Sequence, residues 1–589
     1  MTSDSRVVDD NRRTSERTLT ARFGGGTERV GPPTMAQANM IRCILRDDPV
    51  QINIHDVWPV PADVTVNSAV DALRVLVERH ESLRTTFPGA VSLTDLGEQA
   101  VAAEGEFTVV VRDHDALPSE PAQYAEAVAR DARVDRFHLD RDFPLRITLL
   151  TVEGLPAYVC LVASHAAADG GALTILQEEW RTLVTGGDLP VVKALAPLDL
   201  ALDELSPAGR RKSEASLRYW EHIIRTGPQA MFAEPGVVPG DHAQAQLTLR
   251  SRRAGTALTV AASRTGSPAP TVLLAAWCTL VGHRAGQSTC VTAAPISNRH
   301  SPALARSVTA LSQDSLIRLD LSGPTFDAVL RKAWGAALDA YRHSRFDSVR
   351  LWDMIERTTH DRGSHFGRDV VFNDVSTVLG ARQDDARTQA REPGLEMTWG
   401  PDQELPTRVL TFVHATEPVL QLVLWADRHL FGRHEAEEFL TGLVLLLEAV
   451  ADDDVPLSSL TDVTGVRPAR RGADWRRIDG CWVSPQAIAE ALGAVAGTVH
   501  VAVEPTGRED VTGTEGRLIA FVAAGDDLTL TPGRVHAALM DARPTRPEVL
   551  APHWYVIVPA PPSAPGDTDA WRRLPVLTEG NGRSAADAT

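Results

Sequence analysis

Short apolar runs alternate with segments of helical periodicity over most of the chain. Residues 158–163 form an apolar run of the length of a buried strand, and apolar residues then recur at helical spacing from 172 to 183. The same reasoning predicts an amphipathic helix over residues 66–80 and further strands over 107–111 and 147–152. This alternation of strands and helices predicts an α/β architecture of stacked layers.

Breaks in this pattern divide the chain into predicted domains. The first 32 residues are polar and become Gly-rich, which predicts a flexible arm. Stretches rich in Pro, Gly and charge follow residue 184 and precede residue 474, and both predict linkers. We therefore expect an arm (1–32), a first lobe (33–190), a linker with a second lobe (191–462), a small α+β subdomain (470–578) and a tail (579–589).

One histidine lies where a predicted strand passes into a predicted helix, in the sequence Ser-His-Ala-Ala-Ala-Asp-Gly of residues 164–170. His165 follows the strand, and Asp169-Gly170 is a turn signal. Because an imidazole in water titrates at about 6.5, such a group can take up a proton near neutral pH. The positive pole of the following helix is expected to keep the ring neutral. Asp169, four residues further on, could orient this ring.

Composition and charge argue against several classes of protein. The 589 residues carry a net charge of −18, which disfavours general nucleic-acid binding and anionic membranes. Five cysteines are scattered without a C-x-x-C pair, so neither a disulfide framework nor a cysteine zinc site is predicted. His429 and His434 lie near glutamates, but not in the order H-E-x-x-H, and we expect no metal. With no apolar leader and no membrane-spanning stretch, a cytoplasmic location is expected.

Two longer motifs and one partial motif occur in a characteristic order. Residues 79–87, RHESLRTTF, match RHExLRTxF almost letter for letter, and residues 164–170 match HHxxxDG with Ser164 in place of the first His. Residues 35–37, Met-Ala-Gln, partly fit S-x-A-Q. Over residues 33–462 the chain therefore resembles the condensation domains of nonribosomal peptide synthetases, relatives of chloramphenicol acetyltransferase. The resemblance implies two chloramphenicol acetyltransferase-like lobes in a V with a central tunnel, followed here by the small C-terminal α+β subdomain.

The resemblance also assigns roles to single residues. It implies that His165 acts as the general base or positions the nucleophile. Asp169 is then expected to pair with Arg299 and hold the motif loop. Because glycine lacks a side chain, Gly170 and Gly171 are expected to allow a tight turn and the close approach of an acyl arm. Two residues depart from the usual Asn-Thr of a later motif, and we take them as candidates for lining the tunnel: Gln313 and Asp314.

A function and a partner follow from the same resemblance. It implies an acyltransferase that moves an acyl or aminoacyl group from the phosphopantetheine arm of a carrier protein to an amine or hydroxyl, in the biosynthesis of peptide antibiotics or other natural products. The chain has no G-G-[HD]-S-L serine to bear such an arm, so the carrier is expected to act in trans and no cofactor is expected on this protein. One alternative is an acyl-CoA-dependent acyltransferase of the same superfamily. The other is a non-catalytic docking or recruitment domain.

The last predicted subdomain resembles a different family. Residues 477–485, followed by Ile488 and Leu492, resemble the start of the mobile C-terminal subdomain of adenylate-forming enzymes such as acyl-CoA ligases. Ala487 and Ala489 stand where that family has Glu, and residues 566–567 read Gly-Asp where it has Gly-Lys. The chain also lacks a Gly-rich loop that could cradle a phosphate. We therefore expect a degenerate subdomain that serves as a scaffold or docking surface.

Overall fold

The computed structural model describes residues 14–235, 243–376, 394–405, 407–510, 513–542 and 546–583, and they fall into two units. The first unit contains the described residues up to Glu214 together with Ile296–Gln313 and Arg345–Val349, and the second contains the others. Both units combine sheets with helices. The predicted α/β class is confirmed.

The first unit is built around a five-stranded sheet. The strands of the whole unit are β1 (Thr14–Phe23), β2 (Arg29–Gly31), β3 (Ile54–Pro59), β4 (Thr85–Thr86), β5 (Gln99–Val101), β6 (Gly105–His114), β7 (Leu145–Val152) and β8 (Leu155–Ala163). Its helices are α1 (Met35–Arg46), α2 (Pro49–Ile52), α3 (Val66–Arg79), α4 (Pro121–Asp131), α5 (Gly170–Val184) and α6 (Pro197–Leu205). The large sheet has the order β1-β6-β7-β8-β3, and β2-β5-β4 form a smaller one. Strands β6 and β7 are parallel, and the other neighbours in the large sheet are antiparallel.

The main core of the first unit brings β8 together with α3 and α5. Alternate residues of β8, from Val159 through Leu161 to Ala163, are at most 1% exposed and lie in one apolar cluster. Leu76 of α3 and Leu176 of α5 belong to the same cluster. Because β8 and α5 are both anchored there, the turn that joins them is held at each end.

The second unit contains a larger mixed sheet. Its strands are β9 (Ala243–Ser251), β10 (Thr289–Ile296), β11 (Gln313–Asp320), β12 (Val370–Asp374), β13 (Glu396–Trp399), β14 (Gln403–Glu404), β15 (Val409–Ala415) and β16 (Leu420–Ala426). The sheet order is β11-β10-β12-β15-β16-β9-β13, with β14 also paired to β9. The accompanying helices are α7 (Pro207–Thr226), which begins in the first unit, α8 (Arg252–Thr265), α9 (Ala269–Ala285), α10 (Phe326–Arg342), α11 (Ser348–Arg362), α12 (Arg433–Asp452) and α13 (Leu460–Thr464).

The C-terminal segment belongs to this second unit. Its elements are β17 (Arg476–Ile478), β18 (Cys481–Val483), α14 (Pro485–Ala496), β19 (Val499–Asp510), β20 (Gly513–Ala523), α15 (Pro532–Asp541), β21 (Trp554–Val558), α16 (Thr568–Arg572) and β22 (Thr578–Gly580). Strands β19 to β22 form a four-stranded sheet in chain order. This sheet has its own apolar core, which includes Leu492, Leu518 and Tyr555.

Buried hydrogen bonds join the C-terminal segment to the rest of the second unit. Gln229 is 4% exposed, and its Nε2 donates to the carbonyls of Pro547 (2.7 Å) and Val549 (3.2 Å). The Trp482 indole N–H donates to the carbonyl of Gly286 at 2.8 Å. Residues 470–578 are therefore integrated with the preceding fold and do not form a separate unit.

The predicted arm and tail are wrong where the structure describes them. Strand β1 pairs with β6 along its 10 residues, and Ala21 and Phe23 at its end are buried in the core. The sequence did not predict this strand because its first residues are polar and exposed. At the other terminus, β22 pairs with β21, and Arg583 Nη2 donates to the carbonyls of Arg362 (3.3 Å) and Ala551 (3.4 Å). Residues 1–13 and 584–589 lie outside the described residues.

The predicted boundary between the lobes also differs from the structure. Residues 191–214, 296–313 and 345–349 group with the first unit, although we expected the first of these ranges to be mainly linker and the other two to lie in the second lobe. The reason is a set of contacts between residues distant in sequence, which local patterns do not encode.

Within the described ranges, no helix is long and apolar enough to cross a membrane.

Candidate active site

A short turn between β8 and α5 carries His165. The N–H groups of Ala167 and Ala168 donate to the Ser164 carbonyl at 2.9 and 3.2 Å, which closes the turn. From the segment after α3, the Ser82 hydroxyl donates to the carbonyl of Ala167. The position of His165 is therefore set by backbone contacts on both sides of the turn.

Three buried alanines follow His165, and two of them pack in apolar clusters. Ala166, Ala167 and Ala168 are each 0% exposed. Ala166 belongs to a cluster with Ile41 of α1, whereas Ala168 belongs to the main core of the first unit. Sequence reasoning gave these residues no role, although an unbroken run of small residues between His and Asp was the available signal. Because packing here is tight, larger side chains would displace the histidine.

The imidazole of His165 has one buried nitrogen without a partner among the described residues. Its ring is partly exposed, yet Nδ1 is buried and has no hydrogen-bond partner among the described residues. The buried hydroxyl of the preceding Ser164 has none either. A buried polar atom without a partner is costly, so this place favours a polar atom of a bound molecule or a water. An incoming group can reach the ring from its exposed side.

Asp169 caps helix α5 and forms a buried ion pair with Arg299. Oδ1 accepts from the N–H of Ala172 at 2.9 Å and lies 2.7 Å from Arg299 Nη2, while Oδ2 accepts from Nη1 at 2.8 Å. Oδ2 also accepts from the N–H groups of Leu311 and Ser312, both at 2.9 Å. Burial raises the pKa of Asp169, but the charge and hydrogen bonds of Arg299 and the N–H groups of Leu311 and Ala172 outweigh it and lower the pKa to about 2.

Arg299 extends this network to the segment that follows it. Nη2 donates to the carbonyls of Ser307 and Thr309, each at 3.1 Å, and the side chain is 10% exposed. The ion pair thus holds residues 299–312 against the N-terminus of α5 within the first unit. Sequence reasoning missed the donors Leu311 and Ser312, because backbone N–H groups carry no residue-type signal.

The helix pole acts on a different group from the one predicted. Helix α5 begins at Gly170, and its N-cap is Asp169. His165 lies in the preceding turn, so the carboxylate and not the imidazole is the group at the N-terminal pole. The predicted effect of the pole on His165 is replaced by stabilisation of the Asp169 carboxylate.

Gly171, and not the motif residue Gly170, is the position that requires glycine. A Cβ built on Gly171 would lie 2.8 Å from Arg299 Nη1, whereas one on Gly170 would meet nothing within 4 Å. We expect Gly171→Ala to displace the guanidinium and to destabilise the first unit by about 1–3 kcal/mol, as overpacking does. Gly170→Ala is the matched control and is expected to change the thermal midpoint little. Equal midpoints for the two variants would contradict this assignment.

His80 has a structural environment. It follows α3, is 5% exposed, and its Nε2 lies 2.7 Å from Glu179 Oε2. Arg79 Nε donates to the same oxygen at 3.0 Å. Burial raises the pKa of Glu179, but the hydrogen bond and charge of His80 and the charge of Arg79 outweigh it, so the pKa lies below its usual value. This second histidine has a partner, unlike His165 Nδ1.

The two predicted tunnel residues lie in different surroundings. Gln313 is 3% exposed and belongs to the first unit, where its amide contacts the backbone of Phe346. Asp314 belongs to the second unit and pairs with Arg368. Their role in lining a tunnel stays a prediction.

The described residues contain no group of His, Cys, Asp and Glu side chains that could hold a metal ion. His429 Nδ1 lies 3.3 Å from Asp427 Oδ1, and His434 Nε2 lies 3.2 Å from Glu438 Oε1, so these two histidines form separate contacts. That the protein itself carries neither metal nor cofactor stays a prediction.

Comparison with known proteins yields one family and several similar folds. The family model of the condensation domain matches residues 50–467. A linear gramicidin synthase protein of Brevibacillus parabrevis is 29% identical over 322 residues, which make up 52% of this chain and 4% of that protein. The chain therefore corresponds to a small part of this relative.

Two solved structures share the fold at low sequence identity. A holo four-domain nonribosomal peptide synthetase bound to AMP and glycine gives a TM-score of 0.55 at 15% identity, covering 75% of this chain and 34% of that chain. The SgcC5 protein from Streptomyces globisporus gives 0.54 at 18% identity, covering 72% and 100%. These likenesses concern the fold.

Proposed function

The chain belongs to the condensation domain family, and on that basis we propose that it joins a carrier-bound acyl or aminoacyl group to an amine or hydroxyl acceptor. The donor is a thioester on the phosphopantetheine arm of a carrier protein, and the product is an amide or an ester. The reaction belongs to nonribosomal peptide or related natural-product biosynthesis. Membership of the family and the similarity to a gramicidin synthase support this proposal.

The chemistry of this transfer requires one proton to be moved. The acceptor nitrogen or oxygen attacks the thioester carbonyl, so that a C–N or C–O bond forms and the C–S bond breaks. The attacking atom loses a proton, and the phosphopantetheine sulfur leaves as a thiolate and is protonated. An imidazole can take the first proton and return it to the sulfur. Holding both reactants together supplies a further part of the rate.

One observation carries the proposal: a fixed turn holds His165 with its ring partly exposed, while its buried Nδ1 has no partner among the described residues. A histidine with a purely structural role normally satisfies its buried nitrogens, as His80 does with Glu179. We assign His165 the role of general base or nucleophile-positioning residue. Ser164 supplies a second unpartnered polar atom beside it.

Asp169 is assigned to the loop and not to the imidazole. Its two oxygens are engaged by Arg299, by Ala172 and by the backbone of the segment after Arg299. At a pKa of about 2 it stays ionised at neutral pH and keeps the pair with Arg299 intact. It therefore supports the turn that presents His165. Gly170 starts the helix.

The carrier protein is proposed to act in trans, and the C-terminal segment to serve as a scaffold. The bonds of Gln229 to the carbonyls of Pro547 and Val549 support this second role, since they anchor the segment within the second unit. Ala487 and Ala489 stand where the adenylate-forming family that this segment resembles in sequence has Glu, which supports a segment that does not activate acids.

The first test compares two donors with the same acyl group. We expect acyl transfer from a loaded carrier protein to exceed transfer from the matching acyl-CoA by about tenfold or more in kcat/KM, because contacts with the carrier add binding energy remote from the reacting bond. Intact-protein mass spectrometry of the carrier, with quantification of the acylated acceptor, measures both rates. A carrier loaded with phosphopantetheine alone is the control.

Other outcomes identify the alternatives. Transfer that is as fast from acyl-CoA as from the carrier would point to a CoA-dependent acyltransferase. A carrier that binds but transfers nothing, to amine or hydroxyl acceptors, would point to a recruitment domain without catalytic function.

A further inference from the structure

Gln313 is engaged at both ends of its amide by a single residue. Its Nε2 donates to the Phe346 carbonyl at 3.0 Å, and its Oε1 accepts from the Phe346 N–H at 3.4 Å. Both residues are buried, with exposed fractions of 3% and 2%. The side-chain amide therefore pairs with the backbone much as a neighbouring strand would, and it is not free to contact a substrate.

A ring of polar contacts connects this pair to the start of α1. Gln313 Nε2 also lies 3.5 Å from the Met35 carbonyl, and the Met35 N–H donates to Glu204 Oε2 at 2.7 Å. The other oxygen of Glu204 accepts from Arg345 Nη2 at 2.8 Å. Arg345 precedes Phe346 in the chain, and this peptide link completes the ring of contacts. We call these five residues, Met35, Glu204, Gln313, Arg345 and Phe346, the clamp.

Both chain segments held by the clamp reach the cluster behind the histidine. Ile41 of α1 lies in the apolar cluster that contains Ala166, the residue after His165. Val349, shortly after Phe346, packs against the same cluster. All of these residues belong to the first unit. A displacement of the clamp would therefore be transmitted to Ala166 by both segments, because each of them packs in the same cluster as Ala166.

We propose that Gln313 is a positioning residue, which sets the His165 turn by fixing Met35 and Phe346, and that it does not contact substrate. The inference rests on the proposed function for its kinetic consequence. Its structural consequence is independent of that function, because the path runs from Gln313 through the clamp to the cluster and to Ala166.

The test is the substitution Gln313→Asn, which places at this position the residue expected from the family motif. Asparagine is shorter by one methylene and cannot span both groups of Phe346. We expect kcat to fall on the order of tenfold with KM nearly unchanged, since a loosened His165 impairs the reaction step and not substrate binding. We also expect faster amide hydrogen exchange in the peptide that covers residues 164–172, whether or not substrate is present.

The matched control is Gln229→Asn in the second unit, another buried glutamine whose amide bonds to backbone groups on both sides. It is expected to lower the thermal midpoint without faster exchange at residues 164–172. If Gln313→Asn folds poorly, Gln313→Met keeps the side-chain length, removes the amide and is expected to show the same exchange pattern.

Two results would overturn the inference. One is a changed KM or acyl preference with unchanged kcat and unchanged exchange, which would make Gln313 a substrate contact. The other is equal exchange at residues 164–172 in the Gln313 and Gln229 variants. If the wild-type protein transfers no acyl group, the proposed function fails, and the exchange comparison still decides the role of Gln313.

Discussion

Alanine in place of His165 is expected to lower kcat for acyl transfer roughly 10²- to 10⁴-fold, the usual contribution of a general base. The thermal midpoint is expected to change little, because the buried Nδ1 has no partner that the substitution would leave unpaired. Single-turnover transfer from a loaded carrier, followed by mass spectrometry, measures the chemical step. A variant that retains transfer within about tenfold of wild type would rule out the base role.

His80→Ala is the matched control for this experiment. His80 is buried against Glu179, whose carboxylate also binds Arg79. Its removal is expected to destabilise the first unit by about 1–3 kcal/mol, because it leaves a buried carboxylate with one partner fewer. The folded fraction is expected to keep its kcat. The two histidines should therefore give opposite results in activity and stability.

Asp169→Asn is expected to destabilise the first unit by about 3–5 kcal/mol, because it leaves the Arg299 guanidinium buried without its counter-charge. The wild-type pKa of about 2 lies below the value of about 3.9 for an unfolded Asp. Stability from this pair is therefore fully present above about pH 4 and is lost as the pH falls towards 2. Urea unfolding monitored by circular dichroism, at neutral pH and at acid pH, measures both effects.

A double variant separates the charge from the shape of this site. In Asp169→Asn/Arg299→Met no charge remains buried, and we expect it to be more stable than Asp169→Asn alone. A single variant within about 1 kcal/mol of wild type would show that Arg299 finds another counter-charge, and the loop-anchoring role of Asp169 would then be incorrect.

Local patterns in the sequence predicted the two elements that flank the candidate site. The apolar run before Ser164 and the helical spacing after Gly170 predicted the strand and helix that the structure shows as β8 and α5. The motif resemblance also implied the pair of Asp169 and Arg299, and the two side chains lie 2.7 Å apart. Strand and helix periodicity are properties of neighbouring residues, which is why they could be read directly.

Features that depend on distant parts of the chain could not be predicted in this way. Strand β1 has a mostly exposed, polar sequence, and only its pairing with β6 shows that it is a strand. The donors at Leu311 and Ser312 are backbone groups, and the close approach at Gly171 depends on where Arg299 lies. Sequence reasoning gave Gly170 and Gly171 the same role, because residue type does not record the contact that requires a glycine.

The discontinuity of the first unit sets a rule for exchanging parts between condensation domains of this family. Residues 296–313 and 345–349 are inserted in the sequence of the second unit but fold with the first. A chimera that replaces residues 1–214 as one block would combine a new Asp169 with an old Arg299, and a new Met35 with an old Gln313. A chimera that exchanges residues 296–313 and 345–349 together with residues 1–214 would take Asp169 and Arg299 from the same parent, and likewise Met35 and Gln313.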